Sequence, residues 1–463
     1  MIAKKQVVLR NVAEPCIPLP ECMPVLSDKE YQLRLRKVLK AMESRGYEAL
    51  VLYADREHFS NFHFLIGFEP RFEEGILIIR ADGTLSLLLG NECFPMHKYS
   101  RLPVKGILYQ VLSLPNQPID KLRDLEEILS EEGISRGAKT GIVGWKLMYP
   151  RYGTPQTFDV PAYLVDAVCE AAGKENVSNA TDLFIEPDYG VRILHTAEEI
   201  ALFEYGAAYA SESIKRMVAG LRTGMTEMEL SQLMLSGGLE VNCHTLIGTG
   251  ERKAMGMVSP TDAVIRLGDA FNCSQGHRGG LSCRTGYVAY SEEDLPKEAK
   301  DYIEKLAAPY YMTVANWYEH MKIGVKGGEI YELVESVFPR ETYGWVLNPG
   351  HYGATEEWCS SPIYPGSKIT IKSGMCFQMD IIPSMEGYAG ANCEDSLVIA
   401  DENLRRELRE SYPEVYKRME QRRAVMVKTL GIQLPEEVLP LSNTAGIYRP
   451  FLLNKDKAFV IEP

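Results

Sequence analysis

The segment between Asp269 and Glu292 contains no aspartate or glutamate, yet it carries other residues that could do chemistry. Among them are one histidine, an arginine and two cysteines that could take part in a reaction: His277, Arg284, Cys273 and Cys283. A guanidinium can hold a substrate carboxylate through a two-pronged contact. A thiol beside a histidine can act as a nucleophile, although packing is the commoner role of a buried cysteine. The segment can therefore bind an anion or supply a nucleophile, but it offers no carboxylate to a metal.

Short motifs in the C-terminal half follow the order found in one known family. They are Gly-Met-Thr-Glu-Met-Glu-Leu at 224–230, Leu-Gly-Asp at 267–269, Asn-Pro-Gly-His at 348–351, Ser-Gly-Met at 373–375 and Asn-Cys-Glu-Asp at 392–395. A further match, Asn-Phe-His-Phe-Leu-Ile-Gly-Phe, lies at 61–68. With these motifs the chain resembles the creatinase and aminopeptidase P family. The resemblance implies an α/β creatinase-like N-terminal domain and an α+β pita-bread catalytic domain.

Metallopeptidases of that family hold two divalent metals with two aspartates, one histidine and two glutamates, because hard cations that bridge one water share carboxylates. By resemblance, His351 stands at the histidine, Glu394 at the bridging glutamate, and Asp380 replaces the other glutamate. The two aspartate positions fall on Ser274 and Leu281. The resemblance thus implies an atypical member without the metal-binding aspartates. We predict His351, Asp380 and Glu394 as catalytic residues, with no metal and no other cofactor.

Two histidines common in the catalytic sites of the family are also replaced, by Met257 and Trp358. Creatinase itself lacks the aspartates, and by resemblance its retained glutamate corresponds to Glu394 and its Arg-Thr pair to 284–285. Its catalytic histidine, however, matches Met257. This substitution argues against creatine as the substrate. We expect Trp358 to pack in the core, and Glu356 and Glu357 to be solvated.

Three functions remain open for such a site. We favour a metal-independent, creatinase-like hydrolase of a C–N or related bond in a small charged or zwitterionic molecule. His351 would be the general base, with His277 and His244 as alternatives. Asp380 or Glu394 would orient that histidine. The second hypothesis is a one-metal, Xaa-Pro peptidase-like enzyme, since one histidine and two carboxylates can hold iron or zinc. The third is a non-catalytic binding protein on the peptidase scaffold.

Three further residues are candidates for binding substrate. Arg284 either holds a substrate carboxylate or pairs with Asp380 or Glu394 in the space that metals occupy in the relatives. His277 either enters that space or marks a hairpin tip, because glycines surround it. Arg71 lies near the region with which creatinase relatives contact substrate from the N-terminal domain of a neighbouring subunit.

Composition restricts the class of partner. The chain has 463 residues, a formal net charge of −13 and ten cysteines. Nucleic-acid binders usually have a basic face, so nucleic acid is not an expected partner. No apolar run approaches the ~18 residues of a membrane helix, so no membrane partner is expected either.

The N-terminus lacks a signal-peptide pattern, and thiols without a C-x-x-C pair indicate a reducing compartment. We predict a cytoplasmic protein with a small-molecule substrate, and the resemblance implies a homodimer.

The predicted organisation is an arm over 1–28, an N-terminal domain over 29–193 and a catalytic domain over 194–463. Hydrophobic periodicity and turn residues predict helices at 28–45, 120–132, 161–172, 296–321 and 326–337, and strands at 48–53, 75–80, 84–89, 141–145, 368–371, 375–382 and 395–399. Capping boxes predict a long helix after Thr196 that ends near Gly220, and another after Thr226 that ends near Gly237 and Gly238. The C-terminal strands are expected to be antiparallel with one covered face.

Overall fold

The computed structural model describes residues 5–148, 154–235 and 238–463. The described residues form two compact units: one is 26–193, and the other joins the residues up to Val25 to 194–463. The strands are β1 (Gln6–Asn11), β2 (Ala49–Ala54), β3 (Gly75–Arg80), β4 (Leu85–Leu89), β5 (Lys105–Leu108), β6 (Thr140–Val143), β7 (Val177–Asn179), β8 (Cys243–Thr249), β9 (Ala270–His277), β10 (Gly280–Tyr287), β11 (His351–Tyr352), β12 (Cys376–Met379), β13 (Asp395–Ile399), β14 (Val438–Pro440) and β15 (Lys457–Glu462).

The α-helices are α1 (Asp28–Arg45), α2 (Ser60–Ile66), α3 (Leu125–Glu131), α4 (Ala162–Ala172), α5 (Asp182–Ile185), α6 (Ala197–Gly220), α7 (Glu227–Ser231), α8 (Ala308–His320), α9 (Gly327–Val337), α10 (Arg340–Tyr343), α11 (Glu402–Ser411) and α12 (Pro413–Ala424). Short 3-10 helices cover Phe94–Tyr99, Gln110–Leu112, Lys174–Asn176, Gly250–Met255, Glu292–Asp294 and Lys297–Ala299. Two π-helical turns cover Ile303–Ala307 and Val425–Thr429. Within the described ranges, every helix is too short or too polar to cross a bilayer.

The N-terminal unit is built on a six-stranded mixed sheet with the strand order β5-β4-β3-β2-β6-β7. The central strand β2 is buried along its whole length, and it pairs antiparallel with β3 and parallel with β6. The predicted hairpin is confirmed: β3 and β4 pair antiparallel around Gly83, whose φ of 86° suits the turn. Alternating strands and helices on a mixed sheet make this unit α/β, as predicted.

The C-terminal unit contains a three-stranded sheet, β10-β9-β8, and a four-stranded sheet, β11-β12-β13-β14, both antiparallel. A two-stranded sheet joins β1 to β15, so the segment predicted as an extended arm contributes a strand to this unit. The antiparallel pairing of β12 with β13 was predicted. The expectation of one covered face was wrong, because every residue of both strands is buried.

The capping boxes predicted at two helix starts are present. The Thr196 side chain accepts from the Glu199 backbone N–H, the Glu199 carboxylate accepts in return, and Thr226 and Glu229 do the same. Helix α6 ends at Gly220 as predicted, but α7 ends at Ser231. The predicted end at Gly237 lies outside the described residues, as do residues 1–4 of the predicted arm.

Several other elements differ from the prediction in length. The helix expected over 120–132 begins only at Leu125, because the Gln110 side chain accepts from the backbone N–H groups of Asp120 and Lys121 and holds them in a loop. The helix expected over 296–321 is broken into a 3-10 turn, a π-helical turn and α8. The strand expected over 368–371 is reduced to one bridge between Thr370 and Lys326.

Helix α6 supports the hairpin of β9 and β10. The helix crosses the hairpin at Gly206, where a Cβ would collide with the carbonyl oxygen of Arg278. On the hairpin side, Gly279 (φ 98°) meets the backbone of Phe203, so a side chain is excluded on both surfaces. Glycine is the residue that permits so close a backbone approach. The glycine-rich stretch is thus a hairpin tip, with His277 paired to Gly280.

Helix α6 is in turn fixed to α12 by a buried ionic network. The carboxylate of Glu204 accepts from Arg418 Nε at 2.8 Å and from Arg418 Nη2 and Arg422 Nη2 at 2.6 Å each. Glu204 and Arg422 are at most 1 % exposed. Because a buried charge is costly without its partner, this network makes the position of α6 depend on Glu204.

We expect Glu204→Gln to lower the free energy of unfolding by about 3–5 kcal/mol, because two buried guanidinium groups lose their counter-charge. Urea unfolding followed by circular dichroism measures the change. Glu414→Gln is the control, since Glu414 pairs with Lys417 at 3.7 Å on the surface, and its loss should cost about 0.5 kcal/mol or less. Equal losses in the two variants would contradict the assigned role of the network.

Candidate active site

Three short strands of the four-stranded sheet bring the predicted catalytic residues together. His351 begins β11 and pairs with Gln378 of β12. Asp380 directly follows β12, and Glu394 directly precedes β13, where Met379 pairs with Asp395. Antiparallel pairing therefore places the end of one strand beside the start of the next, and the two carboxylates meet there.

His351, Asp380 and Glu394 form a buried cluster. The Nε2 atom of His351 lies 3.9 Å from Asp380 Oδ2 and 3.9 Å from Glu394 Oε1. All three residues are buried, and one potential ligand atom from each lies within 4.8 Å of the others. Among the residues that the structure describes, this is the one group of histidine, cysteine or carboxylate side chains with metal-site spacing.

Neighbouring amides hold the two carboxylates in place. Asn392 donates to Asp380 Oδ1 at 3.3 Å, and its own Oδ1 accepts from the Glu394 backbone N–H at 2.6 Å. Gln378 donates to Glu394 Oε1 at 3.4 Å, and its Oε1 accepts from the hydroxyl of Ser396. Because each amide bonds two groups, the carboxylates keep a defined orientation in the buried site.

A fourth residue, Glu357, belongs to the cluster although the sequence analysis placed it in solvent. Its Oε1 lies 3.1 Å from His351 Nε2, and its side chain is 28 % exposed. The adjacent Trp358, expected in the core, stacks on the His351 ring at 4.0 Å and is 38 % exposed. Both expectations were wrong because Tyr352 bridges Ser360, which folds the intervening loop back over His351. The sequence of that loop has no periodicity that signals this return.

Burial and mutual repulsion shift the proton affinities of these groups. Burial raises the pKa of Asp380 to about 6, with a further rise from Glu357 and an opposing effect of His351. Burial, followed by the Asp380 and Glu357 charges, raises the pKa of Glu394 well above its usual range. Burial lowers the pKa of His351, but the nearby carboxylates of Glu357 and Asp380 outweigh it, so the pKa is raised overall. The cluster thus favours an imidazolium and at least one protonated carboxyl group near neutral pH.

A cavity of about 370 Å³ adjoins the cluster. Asp380, Glu394, Glu357 and Trp358 line it, whereas the fully buried His351 lies behind them. Ser274 and Leu281, which stand at the family's aspartate positions by resemblance, line the same cavity. A hydroxyl group and an alkyl group therefore occupy the wall where a dinuclear centre would need two carboxylates. The residues present do not fit two bridged metals.

Arg284 does not reach this cavity. Along β10, Leu281, Cys283 and Thr285 line the cavity, so the intervening Arg284 points to the opposite face. There its Nη2 donates to Asp395 Oδ2 at 2.7 Å and to the Thr444 carbonyl at 2.8 Å. The predicted pairing with Asp380 or Glu394 is replaced by an ion pair with Asp395, and the predicted contact of Arg284 with substrate stays a prediction.

His277 is also not brought to the cluster. His277 is buried near the hairpin tip, outside the cavity lining, with its Nε2 3.4 Å from Gln275 Nε2, and burial lowers its pKa. A role in substrate binding is therefore not supported for His277. Arg71 lies in the N-terminal unit, where it pairs with Glu69. The predicted contact of Arg71 with substrate stays a prediction.

The structure does not favour a cysteine as the nucleophile. Cys283 lines the cavity, but Cys273 points away from it on the neighbouring strand. Burial raises the pKa of both thiols to about 12. Because the thiolate is the nucleophile, a thiol with so high a pKa is poorly suited to attack a substrate.

We expect Glu357→Gln to lower the pKa of His351, because a neighbouring negative charge stabilises the imidazolium. An NMR titration of the imidazole carbon–proton signals, assigned with His351→Ala, measures this. Glu356→Gln removes the same charge one residue earlier and should leave the titration nearly unchanged. An unaltered His351 pKa in Glu357→Gln would remove Glu357 from the cluster.

Comparison with known proteins identifies the C-terminal unit. Residues 201–401 match the model of metallopeptidase family M24. The chain is 23% identical to the Xaa-Pro dipeptidase of Lactobacillus helveticus over 239 residues, which are 49% of this chain and 62% of that protein. The match thus spans less than two thirds of the length of this curated relative.

Solved structures share the fold at low sequence identity. A prolidase from Thermococcus sibiricus matches with a TM-score of 0.63 and 18% identity, over 80% of this chain and 95% of that one. A prolidase from Pyrococcus horikoshii gives 0.60 and 17%, over 80% and 95%. An X-Pro aminopeptidase from Thermotoga maritima gives 0.60 and 15%, over 80% and 95%. The motifs, the M24 match over residues 201–401 and this shared pita-bread fold agree, and the chain is similar to the creatinase and aminopeptidase P family.

Proposed function

We propose that this protein is a hydrolase that cleaves a C–N or related bond of a small charged molecule through acid–base chemistry of Asp380 and Glu394. The observation that carries the proposal is the pair of buried carboxylates at the wall of a cavity, held by amides and backed by His351. Ser274 and Leu281 supply no carboxylate for a dinuclear centre, so the reaction is assigned to the side chains that line the cavity.

The two carboxyl groups suit opposite roles. Asp380, with a pKa of about 6, is largely ionised at neutral pH and can accept a proton from water. Glu394, whose pKa is raised further, retains a proton that it can donate to the leaving nitrogen. The water oxygen bonds to the substrate carbon as the C–N bond breaks, and the proton taken by Asp380 balances the proton given by Glu394.

His351 takes a different role from the general base suggested by the sequence. Its ring is enclosed behind the carboxylates and does not line the cavity. The raised pKa makes it a cation next to Glu357 and Asp380. We therefore assign it as a positioning residue that stabilises the ionised form of Asp380, and not as the group that exchanges protons with substrate.

A one-metal, Xaa-Pro peptidase-like enzyme is the second candidate. The buried Nε2 of His351 has no aligned hydrogen bond, although carboxylate oxygens lie near it. His351, Asp380 and Glu394 could hold a single iron, zinc or manganese ion, and such an ion would polarise a substrate carbonyl. The relative named an Xaa-Pro dipeptidase and the M24 match are consistent with this candidate.

Metal content separates the two candidates. Protein purified without chelator or added metal is analysed for its elements, and hydrolysis of small amides, amidines and Xaa-Pro dipeptides is assayed with and without chelator. We expect near-zero metal and activity that survives the chelator. About one equivalent of metal that is lost in His351→Ala would establish the one-metal enzyme instead.

We expect Glu394→Gln to lower kcat at least ~100-fold, because it removes the proton donor. Steady-state kinetics on the best substrate of the panel measure the loss, with circular dichroism to verify folding. Glu386→Gln changes an exposed carboxylate of the loop that follows Asp380 and serves as the control. Full activity of Glu394→Gln, or the absence of hydrolysis by the wild type on every substrate, would favour a non-catalytic binding protein.

The pH dependence follows from the same assignment. We expect kcat/KM to rise from acidic pH with a midpoint near 6, where Asp380 ionises, and to fall at higher pH as Glu394 loses its proton. The profile is therefore bell-shaped, and measurement from about pH 4 to about pH 10 tests it. A profile without an acidic limb would show that Asp380 is not the base.

A further inference from the structure

The cavity also contains a cation that the proposed chemistry does not use. Lys253 comes from the 3-10 turn Gly250–Met255 and lines the cavity together with Asp380 and Glu394. Its Nζ lies against Gly390, where a Cβ would come within 2.9 Å of the ammonium group. The ammonium is thus held next to the backbone of the loop that joins Asp380 to Asn392.

Other cations near the site have an anionic partner, and Lys253 does not. Arg252 pairs with Glu227 at 3.2 Å, and Arg284 pairs with Asp395 at 2.7 Å. Across residues 5–148, 154–235 and 238–463, no carboxylate lies within ion-pairing distance of Lys253 Nζ, and no carbonyl accepts from it. Burial lowers the pKa of this lysine, and Cys283 opposes the shift.

The cavity wall carries opposite charges in two separate regions. The carboxylates of Asp380, Glu394 and Glu357 form the negative region, and Lys253 forms the positive one. None of the carboxylates reaches the ammonium group. Apolar side chains complete the wall, including Met257, Trp358 and Ile382. If the lysine only replaced the positive charge that metals supply in the metallopeptidases of the family, its ammonium group would pair with the carboxylates of the cluster. An ammonium group left apart from them, in a partly desolvated wall, is instead suited to an anion brought by a ligand.

We propose that Lys253 binds a carboxylate of the substrate, so that the substrate is a small carboxylic acid whose scissile C–N bond lies at Asp380 and Glu394. This inference rests on the proposed hydrolase function and specifies its substrate class. N-acyl amino acids and dipeptides with a free carboxyl end have this chemistry.

Site-specific acylation tests the proposal on the unaltered protein. The folded protein is treated with limiting acetic anhydride, and acetylation of Lys253 is quantified by peptide mass spectrometry. N-acetylglycine and glycylproline are added at millimolar concentration, each beside its uncharged amide. We expect the acids to protect Lys253 about tenfold better than the amides. Lys417, which is 63% exposed, serves as the internal reference and should be unaffected.

Calorimetric titration of the same acids and amides into variants gives a second readout. We expect Lys253→Met to lose the preference for acid over amide, and Lys253→Arg to retain it. Lys457→Met, at an exposed position, is the matched control and should behave as the wild type. Equal protection by acid and amide, no protection by either acid, or an unchanged preference in Lys253→Met would overturn the proposal.

The binding readouts do not require turnover, which separates this inference from the proposed function. Selective protection of Lys253 without hydrolysis of any substrate would support the carboxylate site and count against the hydrolase. Hydrolysis that depends on Glu394, without protection of Lys253, would support the hydrolase and remove the carboxylate site.

Discussion

The buried ion pair of Arg284 and Asp395 is the interaction on which the site depends. Arg284 lies on β10 of the three-stranded sheet, and Asp395 begins β13 of the four-stranded sheet, so the pair links two sheets. Asp395 Oδ1 also accepts from Ser282 at 2.9 Å and from Thr444 at 2.7 Å. Arg284 further donates to the carbonyl of Glu394 at 3.2 Å. Because all these groups are buried, loss of one partner would leave the others unpaired in a medium of low polarity.

The ion pair also determines what the other face of each strand can do. Strand residues alternate between faces, so a β10 that turns Arg284 toward Asp395 turns Leu281, Cys283 and Thr285 toward the cavity. In the same way, the residue before Asp395, Glu394, faces the cavity. The pair of Arg284 and Asp395 thus links the two sheets on one face of the strands. The charges available for chemistry lie on the opposite face, at the cavity.

The chain lacks the two metal-binding aspartates of the family. Protonation, a histidine and neighbouring amides stabilise the two acids that remain, Asp380 and Glu394. Burial of Asp380 and Glu394 in one cluster disfavours two negative charges, and His351 offsets part of that cost. Asn392 and Gln378 supply hydrogen bonds to the carboxylates. The arrangement gives two carboxyl groups of different proton affinity, which is the physical basis for an acid and a base within one site.

The sequence by itself determined the resemblance to the family, the α/β class of the first unit, the helix starts at Thr196 and Thr226, and the joint presence of His351, Asp380 and Glu394. These features depend on local capping, on hydrophobic periodicity and on motifs of fixed spacing, all of which can be read along the chain. Tertiary structure alone decided that Arg284 faces away from the cavity, that Glu357 and Trp358 lie over His351, and that Lys253 lines the cavity. The reason is that the face of a strand and the path of a loop are set by the surfaces packed against them, and those surfaces come from residues distant in the chain.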